Sequence, residues 1–334
     1  EYAQSIKDRL KETIIIEGIE NNITVTVGIV EYPIDGDSID ELLIKVDIAM
    51  YNAKISGKNR FLFFNENMKD RFNRRVEIEG LLRDALRNDG FLLLYQPIIE
   101  TNTGKISSFE ALLRIKSSNI PPGEFIPVAE ETGLILPMGK WVIKEAVKQI
   151  SQWIDRGKAP LPVSVNLSPR QFYDESLVSY TRKTLSYYDV HPSLLEIEIT
   201  ENIFAEEKLE VINILNKFKS LGIVVSLDDF GTGYSSLNYL TFMPIDKIKI
   251  DKSLKDKFIV AKDRKVMDSL ISLAHGLGLK VVVEGVEKAE EYKEIKRVGS
   301  DYMQGFLFSK PICEKKAEQI YYRNYLNLLL EEED

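Results

Sequence analysis

Residues 194–229 read LLEIEITENIFAEEKLEVINILNKFKSLGIVVSLDD, a stretch with the pattern of a strand, a helix and a second strand. Runs of apolar, mostly β-branched residues predict the strands over 194–200 and 222–228. The stretch between them predicts an amphipathic helix over 206–221. A strand, a crossover helix and a second strand are typical of a parallel sheet, so this unit predicts an α/β fold.

The same alternation extends along the chain from residue 91. Further strands are predicted over 92–99, 107–113, 162–167, 245–250, 279–284 and 301–307, and further helices over 138–156, 173–188 and 263–277. Eight strands with interposed helices, across about 240 residues, are what a (β/α)8 barrel requires. The predicted fold class is therefore α/β, a TIM-type (β/α)8 barrel variant, with an open doubly wound sheet as the alternative.

A small α/β fragment is predicted before the barrel. Alternating side chains predict a strand over 23–27, and the apolar residues 61–64 predict another. Between them, Ser38 and Glu41 predict a capping box at the start of a helix. Because such a piece buries too little surface to be stable alone, we expect it to be the end of a domain whose beginning is absent.

These patterns divide the chain into four predicted parts. They are an N-terminal fragment (1–65), a connecting helix (66–88), the barrel (89–326) and an acidic tail (327–334).

The composition excludes several classes of function. Lys and Arg number 44 against 52 Asp and Glu, and the net charge of −8 argues against a duplex nucleic-acid partner. The single cysteine, Cys313, excludes a disulfide framework, and two histidines are too few for a histidine-rich metal cluster. No apolar run reaches the ~18 residues of a membrane span, and no signal peptide is present, so a cytoplasmic location is expected. The chain begins at Glu1, which predicts a longer parent protein that could carry a membrane anchor elsewhere.

Polar residues end six of the predicted strands. They are Asn166, Glu198, Asp228 with Asp229, Lys249, Glu284 and Gln304. The carboxyl ends of barrel strands converge on one face, where active sites lie. A single acidic residue at a strand end is usually the N-cap of the next helix, but six polar strand ends are hard to explain as caps.

The acidic strand ends predict a site for divalent cations. Glu110, within the second strand, is expected to point into the same mouth. Gathered carboxylates repel each other and raise each other's pKa values, and divalent cations remove that cost. Oxygen ligands suit Mg²⁺ or Mn²⁺, and the neighbours Asp228 and Asp229 would allow two ions. Two metals about 3.5–4 Å apart are the arrangement that stabilises phosphodiester hydrolysis.

Three more side chains suit this chemistry. Lys249 would supply a positive charge to a nonbridging phosphate oxygen or to a metal-bound hydroxide, and the alternative is an ordinary surface lysine. Glu284 is a candidate general base. Arg114 would bind a phosphate through its forked guanidinium.

Eight motifs occur in order and together resemble one family, the EAL cyclic di-GMP phosphodiesterases, over roughly residues 75–325. They are Gln96-Pro97-Ile98, Glu110-Ala111-Leu112-Leu113-Arg114, Asn166-Leu167-Ser168, Glu198-Ile199-Thr200-Glu201, Asp228-Asp229-Phe230-Gly231-Thr232-Gly233, Lys249-Ile250-Asp251, Glu284-Gly285-Val286-Glu287 and Gln304-Gly305. The resemblance implies a TIM-barrel variant with an irregular first strand. It also implies hydrolysis of cyclic di-GMP to linear pGpG with two Mg²⁺ or Mn²⁺ ions, in a homodimer.

The resemblance further implies roles for individual residues. The implied metal ligands are Glu110, Asn166, Glu198, Asp228 and Asp229, with Glu284 as the base and Lys249 near the catalytic water. Positions in or beside the substrate pocket are Gln96, Arg114, Asp251 and Gln304, and Glu201 would steady the glycine-containing loop.

The N-terminal fragment resembles the C-terminal part of a GGDEF diguanylate cyclase domain. The matching stretches are Val25 to Gly28, Ala49-Met50-Tyr51, Ala53-Lys54 and Gly57 to Arg60. The nucleotide-binding first half of that domain is missing, so cyclase activity is not expected from this chain.

Three other functions stay open on the sequence alone. The barrel could bind cyclic di-GMP without hydrolysing it, act on another phosphate ester, or serve as a scaffold for protein partners. Hydrolysis of cyclic di-GMP is favoured because every implied ligand position holds a residue of the expected type.

Overall fold

A computed structural model describes residues 2–10, 13–16, 19–21, 23–116, 118–201, 208–231, 239–260 and 264–326. The predicted acidic tail, 327–334, lies outside these residues. The chain divides into two compact units, residues 1–81 and residues 82–334.

The N-terminal unit is a small α/β assembly. Its elements are α1 (Tyr2–Arg9), β1 (Ile14–Ile16), β2 (Ile19–Asn21), β3 (Val27–Ile29), α2 (Ile39–Ile55), β4 (Phe61–Phe63) and the start of α3 (Glu66–Arg87). Strands β1 and β2 pair antiparallel, and β3 pairs parallel to β4. Helix α2 packs through Ile48 and Ala49 against Phe64 and Met68, which form the core of this unit.

Two local predictions for this unit have mixed outcomes. The strand predicted over 23–27 is wrong, because β3 begins only at Val27. Thr26 instead accepts a hydrogen bond through its hydroxyl from the Asn59 N–H (3.2 Å). The N-cap of α2 is confirmed, since Ser38 Oγ accepts from the Glu41 N–H (3.3 Å), but the Glu41 carboxylate accepts from Asp37 N–H (3.4 Å).

The C-terminal unit is a closed eight-stranded barrel, which confirms the predicted fold class and excludes the open doubly wound sheet. Its strands are β5 (Phe91–Glu100), β6 (Ile106–Ile115), β7 (Val163–Leu167), β8 (Leu195–Thr200), β9 (Val224–Phe230), β10 (Lys247–Ile250), β11 (Lys280–Val283) and β12 (Tyr302–Met303). They follow chain order around the barrel, and β12 closes onto β5. Strand β5 runs antiparallel to both neighbours, whereas the other adjacent pairs are parallel.

Helices surround the barrel. They are α4 (Pro122–Thr132), α5 (Ile135–Asp155), α6 (Leu177–Tyr187), α7 (Lys208–Ser220), α8 (Lys252–Lys255), α9 (Arg264–Gly276), α10 (Ala289–Arg297) and α11 (Glu314–Ile320). The sequence did not predict α4, which begins at Pro122. Proline is tolerated in the first turn of a helix, because the N–H that it lacks would have no partner within the helix there. The sequence also overestimated β12, because the chain leaves the ladder after Met303. No described helix has the length and apolarity that crossing a membrane would require.

Two aspartates tie the amino ends of neighbouring strands together. Asp246, directly before β10, accepts a hydrogen bond from the Val225 N–H in β9 (2.9 Å). Asp301, directly before β12, accepts one from the Val281 N–H in β11 (2.9 Å). Both carboxylates therefore stabilise the barrel at the end opposite the acidic strand ends.

Replacing Asp301 with asparagine is expected to lower the free energy of unfolding by about 1–3 kcal/mol at pH 7. Burial alone would raise the pKa of Asp301, but Lys280, the Val281 N–H and His275 together hold it below 3.8. The ionised carboxylate therefore stabilises the fold above pH 4, and this contribution disappears as the pH falls through the folded pKa. Urea unfolding at pH 7 and pH 3 measures the difference. Asp268→Asn is the control, because Asp268 is exposed. Equal losses of the free energy of unfolding in the two variants would contradict the prediction.

Candidate active site

The carboxyl ends of the strands bring the predicted side chains to one end of the barrel. Glu110 on β6 lies opposite Gln96 on β5, and Asn166 on β7 lies opposite Glu198 on β8. Glu284 directly follows β11, and its N–H donates to the Ile250 carbonyl of β10 (3.0 Å). The barrel therefore juxtaposes residues that are nearly two hundred positions apart in the sequence.

A β-bulge presents the two neighbouring aspartates. The register between β9 and β10 shifts between Ile248 and Ile250, where two residues of β9 face one residue of β10. Asp229 has a φ of 56°, a left-handed conformation that aspartate tolerates better than most residues. Bulges of this kind re-aim side chains beside functional sites. The Asp228 carboxylate accepts from the Asp229 N–H (2.9 Å), which closes the bulge locally.

Lys249 occupies the point where the carboxylates converge. Its ammonium Nζ lies 2.7 Å from Glu198 Oε2, 2.7 Å from Glu284 Oε1, 3.3 Å from Asp228 Oδ1 and 3.5 Å from Glu110 Oε2. The residue is 1% exposed, which excludes the surface-lysine alternative. One ammonium thus faces three buried carboxylates and the partly exposed Glu284, and their negative charge exceeds its positive charge.

This excess charge appears in the pKa values. Burial raises the pKa of Glu198 and of Asp228, and the nearby Glu110 raises both further against the opposing effect of Lys249. Burial also raises the pKa of Glu284 to about 8. The pKa of Lys249 is well above its usual value, because the four carboxylates outweigh the cost of burying the ammonium.

Glu110 behaves differently because amide groups stabilise its charged form. Burial would raise its pKa, but Lys249 together with hydrogen bonds from Gln304 and Asn166 lowers it. Gln304 Nε2 donates to Glu110 Oε2 (2.6 Å), and Asn166 Nδ2 donates to Glu110 Oε1 (2.8 Å). Gln304 Nε2 also donates to Gln96 Oε1 (3.2 Å), so the predicted pocket residues Gln96 and Gln304 belong to one network with Glu110.

The side chains fit a divalent cation in their chemistry. Among the described residues, no group of three or more His, Cys, Asp or Glu side chains is arranged as a metal site. Yet Glu198 is fully buried, and its Oε1 has no hydrogen-bond partner in the described part of the chain. A buried carboxylate oxygen without a partner, among carboxylates whose pKa values are raised, is a group that a divalent cation would stabilise.

Two cavities open beside these residues. The first, about 370 Å³, contains the predicted site residues Gln96, Glu110, Asp228, Glu284 and Gln304 in its lining. Its volume is within the range of small-molecule sites. Its lining also includes three residues to which the sequence assigned no role, namely Lys252, Glu287 and Phe306.

The second cavity, about 280 Å³, is mainly apolar and contains the predicted residues Arg114 and Asn166. Arg114 Nη1 donates a hydrogen bond to the carbonyl of Leu113 (2.8 Å). Burial lowers the pKa of the Arg114 guanidinium despite the nearby Glu110.

The remaining predicted residues lie at the edge of the site. Asp251 is the N-cap of α8 and accepts from the Ser253 N–H (2.8 Å), which is the ordinary structural role of an aspartate at a strand end. Glu201 follows β8, and the glycine-containing loop that it was predicted to steady falls at residues 232–238, outside the described residues.

A close backbone approach holds residues 284–287, which we call the rim loop. The Val286 N–H donates to the Gln304 carbonyl, and the Leu307 N–H donates to the Val286 carbonyl, each at 3.0 Å. Gly305 lies between these bonds, and a Cβ added there would stand 2.0 Å from the Val286 carbonyl oxygen. Only glycine allows this approach.

Replacing Gly305 with alanine is therefore expected to displace the rim loop and to destabilise the protein by about 1–3 kcal/mol. Thermal unfolding measures the loss. Gly276→Ala is the control, because no atom lies within 4 Å of the Cβ it would add. A Gly305→Ala protein that unfolds at the wild-type temperature would contradict the close approach of Gly305 to the Val286 backbone.

Fold and site together define a TIM-type barrel protein with an acidic cavity of ligand size at the carboxyl ends of its strands. The sequence matches the EAL domain family over residues 80–311, and the diguanylate cyclase GGDEF domain family over residues 1–60. The chain belongs to the EAL domain family and carries a partial GGDEF domain before the EAL domain. The resemblance drawn from the sequence motifs is confirmed.

Named relatives cover nearly the whole chain. It is 37% identical over 328 residues to cyclic di-GMP phosphodiesterase PdeR of Escherichia coli, covering 97% of the chain and 49% of PdeR. It is 36% identical over 322 residues to MucR of Pseudomonas aeruginosa, a bifunctional diguanylate cyclase and cyclic di-GMP phosphodiesterase, covering 95% of the chain and 47% of MucR. The chain therefore spans about half the length of these relatives.

Solved structures share the fold. The PaMucR phosphodiesterase in its c-di-GMP complex has a TM-score of 0.67 and 36% identity, with 72% of this chain and 99% of that chain covered. The EAL enzyme Bd1971, in its cAMP- and cyclic-di-GMP-bound form, has a TM-score of 0.70 and 32% identity, with 86% of this chain and 76% of that chain covered.

Proposed function

We propose that this chain is a metal-dependent phosphodiesterase that hydrolyses cyclic di-GMP to linear pGpG. The observation that carries the proposal is the convergence of Glu110, Glu198, Asp228 and Glu284 on the buried Lys249. Membership of the EAL family supports the choice of substrate, because relatives at about one-third identity are named cyclic di-GMP phosphodiesterases.

Two Mg²⁺ or Mn²⁺ ions would be held by five side chains at the strand ends. These are Glu110, Asn166, Glu198, Asp228 and Asp229. When bound, the ions supply positive charge to the phosphodiester and to its leaving oxygen. Their oxygen ligands suit these hard cations, and the unpartnered Glu198 Oε1 supports the assignment.

The chain's own residues would move the proton and orient the phosphate. Glu284 takes a proton from the attacking water, a role that its position in the cavity lining beside Glu110 and Asp228 allows. Lys249 offers its ammonium to a nonbridging phosphate oxygen. The water oxygen bonds to phosphorus and the bond from phosphorus to the 3′ oxygen breaks. That oxygen takes up a proton and leaves as a hydroxyl, while Glu284 gives up the proton that it took from the water. Each cleavage consumes one water and leaves a 5′-phosphate on pGpG.

The substrate would lie across the cavity that holds this cluster. Gln96 and Gln304 line this cavity, and Arg114 lines the second one. Asp251 and Glu201 are assigned to the edge of the site by the family resemblance. Homodimerisation is likewise carried over from that resemblance, and sedimentation of the purified chain tests it.

The experiment is product analysis of cyclic di-GMP incubated with the purified chain. We expect pGpG with Mg²⁺ or Mn²⁺ and none with EDTA, measured by anion-exchange chromatography. Competition with GTP and pGpG separates the preferred substrate from other phosphate esters. Binding of cyclic di-GMP without any pGpG, at saturating Mn²⁺, would overturn the proposal and leave a receptor.

A further inference from the structure

A second lysine is fully buried near the site, and it lies on α8, directly after the strand that carries Lys249. Lys255 is 0% exposed. Its ammonium Nζ donates to the Gly285 carbonyl (2.7 Å) and to Glu291 Oε2 (2.8 Å), and it lies 2.9 Å from Asp256 Oδ1. Two hydrogen bonds and one ion pair therefore surround the buried ammonium.

Two of these partners connect Lys255 to the rim loop. The Gly285 carbonyl belongs to the residue that follows Glu284. Glu291 Oε2 also accepts from the Glu287 N–H (2.9 Å), so the carboxylate that pairs with Lys255 fixes the last residue of the rim loop as well. Lys255 therefore acts on the middle of the loop directly and on its end through Glu291.

Two further contacts hold the ends of the loop on this side. The Glu284 N–H donates to the Ile250 carbonyl (3.0 Å), and Lys252 of α8 pairs with Glu287. Gly285 has a φ of 65°, a left-handed conformation that glycine adopts without steric cost, and this turn directs its carbonyl to Lys255. On the opposite side, the loop is held through Val286 by backbone hydrogen bonds with Gln304 and Leu307. The buried ammonium completes the clamp, because no backbone N–H of the described residues donates to the Gly285 carbonyl.

We propose that Lys255 is a positioning residue for the reaction, which sets the rim loop so that the Glu284 carboxylate keeps its place beside Lys249. Lys255 does not itself line the first cavity, although it contacts the lining residue Gly285 through that residue's carbonyl. Its ion pairs in the described structure are with Asp256 and Glu291, not with the four carboxylates. Its role rests on the proposed function, since the consequence is a loss of turnover. Displacing a catalytic group by about 1 Å lowers a rate by as much as about a hundredfold.

The test compares Lys255→Met with Lys257→Met, an exposed lysine two residues away. In Lys255→Met we expect kcat for cyclic di-GMP to fall about tenfold to a hundredfold, with KM changed by less than about threefold, because the positioned group acts on the proton. Lys257→Met should match the wild type in both. Steady-state kinetics with saturating Mn²⁺, well below the unfolding temperature, measure both constants.

A double variant separates positioning from stability. Lys255→Met with Glu291→Gln removes both charges of the buried pair and leaves an amide oxygen for the Glu287 N–H, so the unfolding temperature should return toward the wild-type value. The Gly285 carbonyl still lacks its donor, so kcat should stay low. A kcat that recovers together with the unfolding temperature would overturn the proposal, because it would make Lys255 a stabilising residue only.

Amide hydrogen exchange over residues 280–292 supplies a readout that does not need turnover. Faster exchange at the rim loop is expected in Lys255→Met and in the double variant, but not in Lys257→Met. Unchanged exchange would show that Lys255 does not hold the rim loop, and this conclusion would stand even if the wild type is active. A wild-type chain that hydrolyses nothing would instead overturn the proposed function, and the exchange rates would still decide whether Lys255 holds the loop.

Discussion

Replacing Asp228 with asparagine is expected to lower kcat for cyclic di-GMP hydrolysis by about a thousandfold or more, because several kcal/mol of transition-state stabilisation is lost with the charge that binds metal. Asparagine has the shape of aspartate, and its side-chain oxygen can still accept from the Asp229 N–H, so the bulge should persist. The buried Asp228 carboxyl also has a raised pKa, so a neutral group there removes repulsion from Glu110 and Glu198. The metal-free variant should therefore be as stable as the wild type.

Two measurements check this result together. Steady-state turnover with saturating Mn²⁺ gives kcat, and thermal unfolding with and without Mn²⁺ shows whether the ion still stabilises the fold. Asp246→Asn is the matched control. It changes an aspartate before β10, at the end of the barrel opposite the acidic strand ends. The variant should lose stability, while its turnover should stay near the wild-type value. An Asp228→Asn protein with kcat within tenfold of the wild type would contradict a role for this carboxylate in the reaction.

The barrel was predictable because its strands have a strong local signal. Buried parallel strands read as short apolar runs bounded by turns, and all eight were located from that pattern. The errors fall where local sequence does not decide the structure. Strand β12 pairs through only two residues, since the chain then turns so that Gly305 can pass the Val286 backbone. Helix α4 starts at Pro122, and a double proline looks like a loop when only the sequence is seen.

The site was predictable in its members but not in its arrangement. Acidic residues at strand ends identified the carboxylates, since the barrel brings strand ends together whatever the details of packing. Lys249 could not be distinguished from a surface lysine, because its burial depends on Glu198, Glu110 and Glu284 from other strands. The sequence did not indicate that Lys255 is buried or that it contacts the rim loop. Its partners Gly285 and Glu291 are thirty or more residues away, and a lysine in a short charged helix looks solvated.

Replacing Lys249 with methionine is the change expected to alter the site most. The ammonium lies 2.7 Å from both Glu198 and Glu284, and without it the four carboxylates lose the cation that they share. Removing one partner of a buried ion pair costs about 3–5 kcal/mol, so the metal-free variant should unfold well below the wild-type temperature. Turnover should also fall by about a hundredfold or more, since the charge offered to the phosphate is lost.

The response to metal distinguishes this variant from one that is merely unstable. In the wild type a divalent cation must compete with the Lys249 ammonium for the oxygens of Glu198 and Asp228. In Lys249→Met that competitor is gone, so Mn²⁺ should raise the unfolding temperature by more than it does in the wild type. Lys247→Met is the control, because Lys247 lies on the same strand as Lys249. The substitution breaks the ion pair of Lys247 with the buried Glu196 of β8 but leaves the acidic strand ends unchanged. This variant should lose stability without gaining a larger response to Mn²⁺. If Mn²⁺ shifts Lys249→Met and the wild type equally, the buried ammonium and the metal do not share these carboxylates, and the proposed ligand set is wrong.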